Sequence, residues 1–273
     1  MVDFPNCKIN LGLNILRRRD DGYHDLETVF YPLPLLDILE AVRSPELQFT
    51  ATGRAIPGDP NSNLAIRAWK LLRRDFPDLP FVHIHLHKQI PIGAGLGGGS
   101  ADGAFMLRVL NRQFRLGLDD GQLLRYAATL GSDCPFFLIN QPCLGSGRGD
   151  QLEPIAGLSL TGYSFLLVNP GIHISTAQAF SRCRPHDGGP PLRSLITRPI
   201  QQWRDSITND FEFPLFGEFP VLREIKETLY SRGALYAALS GSGSCLYGIF
   251  ENGKAETAGW NEAWEIISIS GKK

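Results

Sequence analysis

Residues 91–103 read Pro-Ile-Gly-Ala-Gly-Leu-Gly-Gly-Gly-Ser-Ala-Asp-Gly, with five glycines inside the seven residues 93–99. A strand-like alternation precedes this segment and a helix-like run follows it. Glycine adopts positive φ at little steric cost and lets a backbone approach a ligand closely. A glycine loop that opens a helix also presents unpaired N–H groups and the positive end of the helix dipole, which suits a phosphate. The segment therefore asks for a strand–loop–helix unit that cradles an anion, and nucleotide phosphate binding is the first expectation.

Two other readings of glycine-rich segments fit less well. Gly93, Gly95 and Gly98 match G-x-G-x-x-G. That pattern needs a second strand ending in an acid about 20 residues further on. Asp119 is near that distance but lies in Gly-Leu-Asp-Asp-Gly, a turn between helices, and Pro91 interrupts the entry. A G-x-x-x-x-G-K-[ST] loop is approached only from Gly248 to Lys254 and fails at Ala255; Asn252-Gly253 reads there as a tight turn.

With 273 residues the chain can bury a large core in one or two domains. Its net charge of −1 provides no broad field for nucleic acid or a membrane surface. The five cysteines (7, 134, 143, 183 and 245) are scattered, form no C-x-x-C and read as reduced thiols of a cytoplasmic protein. Neither a signal-peptide pattern nor an apolar run near 18 residues is evident.

Strands are expected at 7–16, 28–30, 37–43, 47–51, 81–88, 165–168, 234–239 and 245–250, and helices at 64–75, 101–115, 121–130, 201–211 and 221–232. In the strand at 81–88, Val82, Ile84 and Leu86 point one way and His83, His85 and His87 the other. The histidines form H-x-H pairs but have no acidic or cysteine partner nearby in sequence, so a solvated strand face is the simpler account. The composition shifts near 145–158, a plausible domain junction.

Asp133 follows a helix and precedes the apolar run Cys-Pro-Phe-Phe-Leu. Its carboxylate is either a general base or a helix cap. Lys8 lies among apolar neighbours in a strand, as an edge charge or as a buried cation with a partner. Residues 240–244, Ser-Gly-Ser-Gly-Ser, are either a hairpin turn or a second loop close to a ligand. Together these features suit phosphoryl transfer, which needs donors around the phosphates, a cation against developing charge and a group that orients or deprotonates the acceptor hydroxyl.

In order along the chain, Pro5-Asn6-Cys7-Lys8-Ile9-Asn10-Leu11, the glycine loop and residues 240–244 resemble the three motifs of the GHMP-superfamily small-molecule kinases. Asp20-Asp21-Gly22-Tyr23-His24, the triple glycine 97–99 and Gly131-Ser132-Asp133-Cys134-Pro135 resemble, more narrowly, the members that phosphorylate the 2-hydroxyl of a cytidine-diphosphate-linked methylerythritol in the non-mevalonate isoprenoid pathway. The likeness spans nearly the whole chain and is weakest at 181–203 and after 253. It implies an α+β, two-domain GHMP fold: an N-terminal domain like ribosomal protein S5 domain 2 (1–152), a ferredoxin-like α/β sandwich (153–273), and an active site in the cleft between them. It implies ATP as co-substrate with Mg²⁺, with no protein ligand to a metal assigned, small-molecule partners only, and an oligomeric state left open. Asp133 would accept the hydroxyl proton, and Lys8 would pair with Asp133 and steady the transferring group. Pro91, Gly93 and the run Gly95, Leu96, Gly97, Gly98, Gly99, Ser100 would wrap the ATP phosphates, with Lys88, Asn63 and Leu64 near the nucleotide. Asn10 would hold the acceptor. Tyr23 and Phe180 would sandwich the cytosine, His24 would bond its edge, Thr176 would approach the diphosphate, and Gly241 and Gly243 would close the site. A mevalonate- or homoserine-type kinase and a non-catalytic nucleotide binder are the alternatives. Three positions depart from the pattern: Ala101 in place of a second loop serine, Gly103 in place of alanine, and Cys134 in place of an aliphatic residue.

Overall fold

The computed structural model describes residues 1–186 and 189–271. In chain order these form β1 (Val2–Asp3), β2 (Asn6–Arg18), β3 (His24–Leu36), β4 (Ile38–Arg43), β5 (Gln48–Gly53), α1 (Leu64–Asp75), β6 (Val82–Lys88), α2 (Gly98–Phe114), α3 (Asp120–Leu130), α4 (Cys134–Ile139), β7 (Cys143–Ser146), β8 (Gln151–Pro154), β9 (Tyr163–Asn169), α5 (Thr176–Arg182), α6 (Leu192–Ile196), α7 (Glu212–Glu218), α8 (Pro220–Ser231), β10 (Tyr236–Leu239), β11 (Leu246–Glu251) and β12 (Glu265–Ile269).

The chain divides into two compact units, one of Met1–Lys8, Pro34–Ile92 and Gly97–Asn140, the other of Ile9–Leu33, Gly93–Leu96 and Gln141–Lys273. The first holds a sheet in the order β1-β4-β6-β5, in which only β5 and β6 run parallel. Alternation along β6 buries Val82, Ile84 and Leu86 completely. The three histidines between them bond Thr50 and Thr52 on β5, at 2.9–3.0 Å. Helix α1 starts where expected because the Asn63 side chain accepts the Ala65 N–H at 2.9 Å. Helix α2 packs on α1, α3 and α4. A Cβ on Gly103 would lie 2.8 Å from Leu64 Cβ, so the residue that weakens α2 is also what lets α1 come close.

The second unit carries two sheets, β2-β3-β7-β8 and the antiparallel β10-β11-β9-β12. Its core joins Leu166, Val168, Leu239 and Leu246 to Phe211, Leu215, Leu222, Ile225 and Leu229 from α7, α8 and the turn before them. The helix expected at 201–211 is not formed. Residues 200–202 make one 3₁₀ turn, and Asn209 bridges to Leu13 in parallel, with Leu13 N–H to Thr208 O and Asp210 N–H to Leu13 O both 2.9 Å. The Asn209 amide also donates to the carbonyls of Leu239 and Gly241, at 2.9 Å each. Thr208 O and Asp210 N–H are thus satisfied by Leu13 rather than along a helix axis, and the residues before them by local turns. The apolar run after Asp133 proves to be α4, which tolerates Pro135 in its first turn. No helix among the described residues is long and apolar enough to cross a membrane.

Candidate active site

In the first unit, the start of α2 meets Lys8 and Asp133. Gly97 stands at the N-cap with φ 71°, and no side chain caps the helix. The turn thus opens with Gly98, Gly99 and Ser100, whose backbone N–H groups have no residue four back within the helix. A Cβ on Gly97 would come within 3.1 Å of the Lys8 stem and 2.7 Å of the Phe137 ring, so this glycine is what lets the lysine run under the loop's exit. Lys8 is 4% exposed, and its Nζ lies 3.5 Å from Asp133 Oδ2. Asp133 is 36% exposed and makes no capping bond to α4 although it occupies the N-cap. The helix-cap account of this carboxylate therefore fails, and it stands as the lysine's partner. Beside it, burial pushes the Cys134 thiol up to about 12, so Cys134 stays a packed, uncharged neighbour.

Lys88, at the end of β6, is 3% exposed and donates to Asp37 Oδ2 at 2.5 Å and to Asp102 Oδ2 at 2.7 Å. Its ammonium thus lies between two carboxylates, and a Cβ on Gly98 would sit 3.0 Å from it. Asn63 spends its side-chain oxygen on the α1 cap, and Leu64 packs at Gly103. Pro91 is buried directly after Ile90.

In the second unit, Gly95 and residues 240–245 cross at van der Waals range. Ser240 Oγ donates to Gly95 O at 3.0 Å, and Cys245 N–H to Ala94 O at 3.2 Å. A Cβ on Gly95 would run into the Ser240 carbonyl, and one on Gly243 into Ala94. These two glycines are explained by backbone crossing alone. Gly93 has φ 71°, and a Cβ there would lie 3.2 Å from His173 Nδ1; Leu96 is buried, and Gly241 has φ 56°. Ser242 Oγ lies 3.2 Å from Thr176 Oγ1 at the start of α5. One turn on, Phe180 stacks on His24 (centroids 5.0 Å, planes 19° apart) and meets Phe211 edge-on at 4.9 Å. Burial, and then the charge of Arg18, holds the His24 imidazole below its ordinary pKa, so the ring is neutral at pH 7. Tyr23 is 55% exposed, with the Arg148 guanidinium 5.0 Å over one face. Asn10 is buried; its amide donates to Thr28 Oγ1 at 2.9 Å, and its carbonyl accepts from the Tyr247 hydroxyl at 2.8 Å.

Residues 63–141 match the family model for the N-terminal domain of the GHMP kinases, and residues 192–264 the model for their C-terminal domain. The chain is 50% identical over 254 residues to the 4-diphosphocytidyl-2-C-methyl-D-erythritol kinase of Bacteroides fragilis, covering 92% of each chain. It belongs to the GHMP kinases. A relative of the same name from Cytophaga hutchinsonii is 44% identical over 257 residues, 94% of each chain. A solved 4-(cytidine 5'-diphospho)-2C-methyl-D-erythritol kinase superposes with a TM-score of 0.83 at 32% identity, covering all of both chains. The mevalonate kinase of Methanococcus jannaschii shares the fold, with a TM-score of 0.70 at 14% identity over 100% of this chain and 98% of its own.

In this GHMP kinase the first unit brings together Lys8, Asp133, Gly97 and the first turn of α2. The second brings together His24 and Phe180, and joins Thr176 to the loop at 240–244. Sequence reasoning missed Asp37, Asp102 and Arg148. Asp37 had one usable signal, a carboxylate between Leu36 and Ile38 in an apolar strand region. Arg148, in a polar turn, had none.

Proposed function

We propose that this GHMP kinase transfers the γ-phosphoryl group of ATP to the 2-hydroxyl of 4-diphosphocytidyl-2-C-methyl-D-erythritol, giving the 2-phosphate and ADP, a step of the methylerythritol phosphate route to isoprenoid precursors. The observation that carries the reading is the buried Lys8 ammonium, 3.5 Å from a half-exposed carboxylate that caps nothing, beneath the uncapped start of a glycine-opened helix. Phosphoryl transfer asks little covalent chemistry of a protein; it asks for positioning and for charge placed where charge develops. Asp133 orients the acceptor hydroxyl and accepts its proton as the O–P bond forms. Lys8 stabilises the carboxylate and the equatorial oxygens in flight. The N–H groups of Gly98, Gly99 and Ser100 hold phosphate oxygens, and Asn63, Leu64 and Lys88 flank the nucleotide. Tyr23, His24 and Phe180 take the cytosine, where a neutral imidazole offers one donor and one acceptor to the base edge. Asn10, Thr176 and Gly241 complete the acceptor side.

Mg²⁺ arrives with ATP as part of the substrate. Among the described residues, no cluster of three or more His, Cys, Asp or Glu side chains is placed to hold a metal. The reading assigns 1–152 to the ATP-binding domain and 153–273 to the C-terminal domain, and places the reaction in the cytoplasm.

The test is ADP formation by the purified chain with Mg²⁺ and ATP, with 4-diphosphocytidyl-2-C-methyl-D-erythritol, mevalonate or homoserine as acceptor. ADP is expected with the cytidine compound alone. ADP with a control acceptor would overturn the cytosine assignment and keep the kinase. ATP binding without ADP from any acceptor would make the chain a nucleotide binder.

A further inference from the structure

The cluster of Asp37, Lys88 and Asp102 grips the chain on both sides of the glycine loop. On the entry side, Asp37 Oδ1 accepts the backbone N–H groups of Gln89 (2.6 Å) and Ile90 (2.9 Å), the residues that lead into Pro91. On the exit side, Asp102 lies in the first turns of α2 and holds the Lys88 ammonium, which itself lies against Gly98. All three side chains are at most 3% exposed, and Asp102 Oδ1 has no hydrogen-bond partner.

The charge count constrains the state of this cluster. One buried ammonium balances one carboxylate, and a second carboxylate on the same ammonium would be a buried unpaired charge. A charge in that position takes up a proton rather than stay ionised. We propose that Asp102 is a positioning residue of the nucleotide site, holding Lys88 against the start of α2 in a clamp that carries no net charge when nucleotide binds. The inference rests on the kinase reading above.

Burial, and then the charge of Asp37, pushes the Asp102 carboxyl up to about 8 against the pull of Lys88. The carboxyl is therefore protonated at neutral pH and ionises above about 8. Other charged groups stand on the elements packed against α2. Asp133 at α4 pairs with Lys8, Asp3 of β1 pairs with Arg108, Arg67 of α1 acts on Cys134, Tyr126 of α3 bonds Asp75 of α1, and Glu40 of β4 lies in register with His85. Ionising Asp102 puts a net negative charge beneath the groups that receive phosphate, and binding becomes weaker.

The experiment is calorimetric titration of the full chain with ADP in excess Mg²⁺ at pH 7, 8 and 9, each in two buffers of different ionisation enthalpy. For the wild type, affinity should fall about tenfold from pH 7 to pH 9, the loss expected when the ionised form of a group with a pKa near 8 does not bind. At pH 8 a fraction of a proton should be taken up on binding. Asp102→Asn, which keeps the shape of the protonated acid, should bind like wild type at pH 7, lose most of the pH dependence and take up no proton at pH 8. Coincident pH profiles for the two proteins would overturn the proposal, as would absence of proton uptake by the wild type, which needs no variant. Absence of ADP binding at pH 7 would overturn the kinase reading and this inference with it, so the two failures are distinct.

Discussion

The surroundings of Lys8 and those of Tyr23 are built in opposite ways. Lys8 is buried under a glycine whose missing side chain makes room for it, beside a carboxylate, and Phe137 packs at the same glycine. Tyr23 is more than half exposed, at a turn laced by Arg17–Asp25, Arg19–Asp21 and Arg19–Asp25 ion pairs. Exposed pairs of that kind contribute little to stability. The first region is fixed by sterics and the second by a few surface contacts. That difference suits a division of labour in which the buried region sets the rate and the exposed one sets which acceptor is held. Substitutions should then divide into those that lower kcat and those that raise KM.

The largest effect is expected at Asp133. Asp133→Asn removes the proton acceptor and keeps the shape. The side chain caps nothing but pairs with the buried Lys8 ammonium, so the variant should melt somewhat below wild type. Its kcat should fall about 100-fold or more, within the range for loss of a general base, with ATP affinity little changed. A loss below about tenfold would remove Asp133 from the chemistry and leave the buried region a purely structural device.

Gly97 and Gly99 form a smaller and more discriminating pair. Gly97→Ala would place a Cβ at positive φ against Phe137 and the Lys8 stem, whereas a Cβ on Gly99 meets nothing within 4 Å. Gly97→Ala should therefore lower kcat roughly 10- to 100-fold by displacing Lys8 and lower the melting temperature. Gly99→Ala should keep both the melting temperature and kcat near wild type and raise KM for ATP, since its methyl group would stand at the proposed phosphate site. Steady-state kinetics and thermal melting of both variants read this out. Identical behaviour would mean that the glycines serve the helix start alone.

How much of this the sequence disclosed follows the same division. The strand at 81–88, α1 and the helix after the glycine loop were legible because a local rule decides each: alternation, helical apolar spacing, a glycine turn. The motif order also pointed to Lys8 and Asp133 together. The segment 201–211 was misread as a helix because its apolar spacing is helical, while Thr208 and Asp210 pair with Leu13 and Asn209 holds the carbonyls of Leu239 and Gly241 across long sequence distances. The Asp37–Lys88–Asp102 cluster joins residues up to 65 positions apart by pairing that no local pattern encodes. The positions of Gly95 and Gly243 looked like ligand contacts in sequence, and the structure shows a backbone crossing that would require glycine without any ligand.

The exposed region gives the smallest effect, and it carries a sign. Loss of one hydrogen bond to a base edge is worth about 0.5–1.5 kcal/mol, or about 2- to 10-fold. His24→Ala should raise KM for the cytidine substrate by that factor, with KM for ATP and kcat nearly unchanged. Burial and Arg18 hold the imidazole below its ordinary value of 6.5, so it stays neutral from alkaline pH down through 6.5. Protonation at lower pH removes the ring's acceptor nitrogen, and KM for the cytidine substrate should rise only there. The alanine variant lacks the titrating group and should show no such rise. Measured from pH 5.5 to 8, the wild-type profile should stay flat above 6.5; a rise already there would be a titration in a range where the ring is neutral. That result would move the titrating group elsewhere in the exposed region. Equal changes in both KM values for His24→Ala would take the histidine out of base recognition.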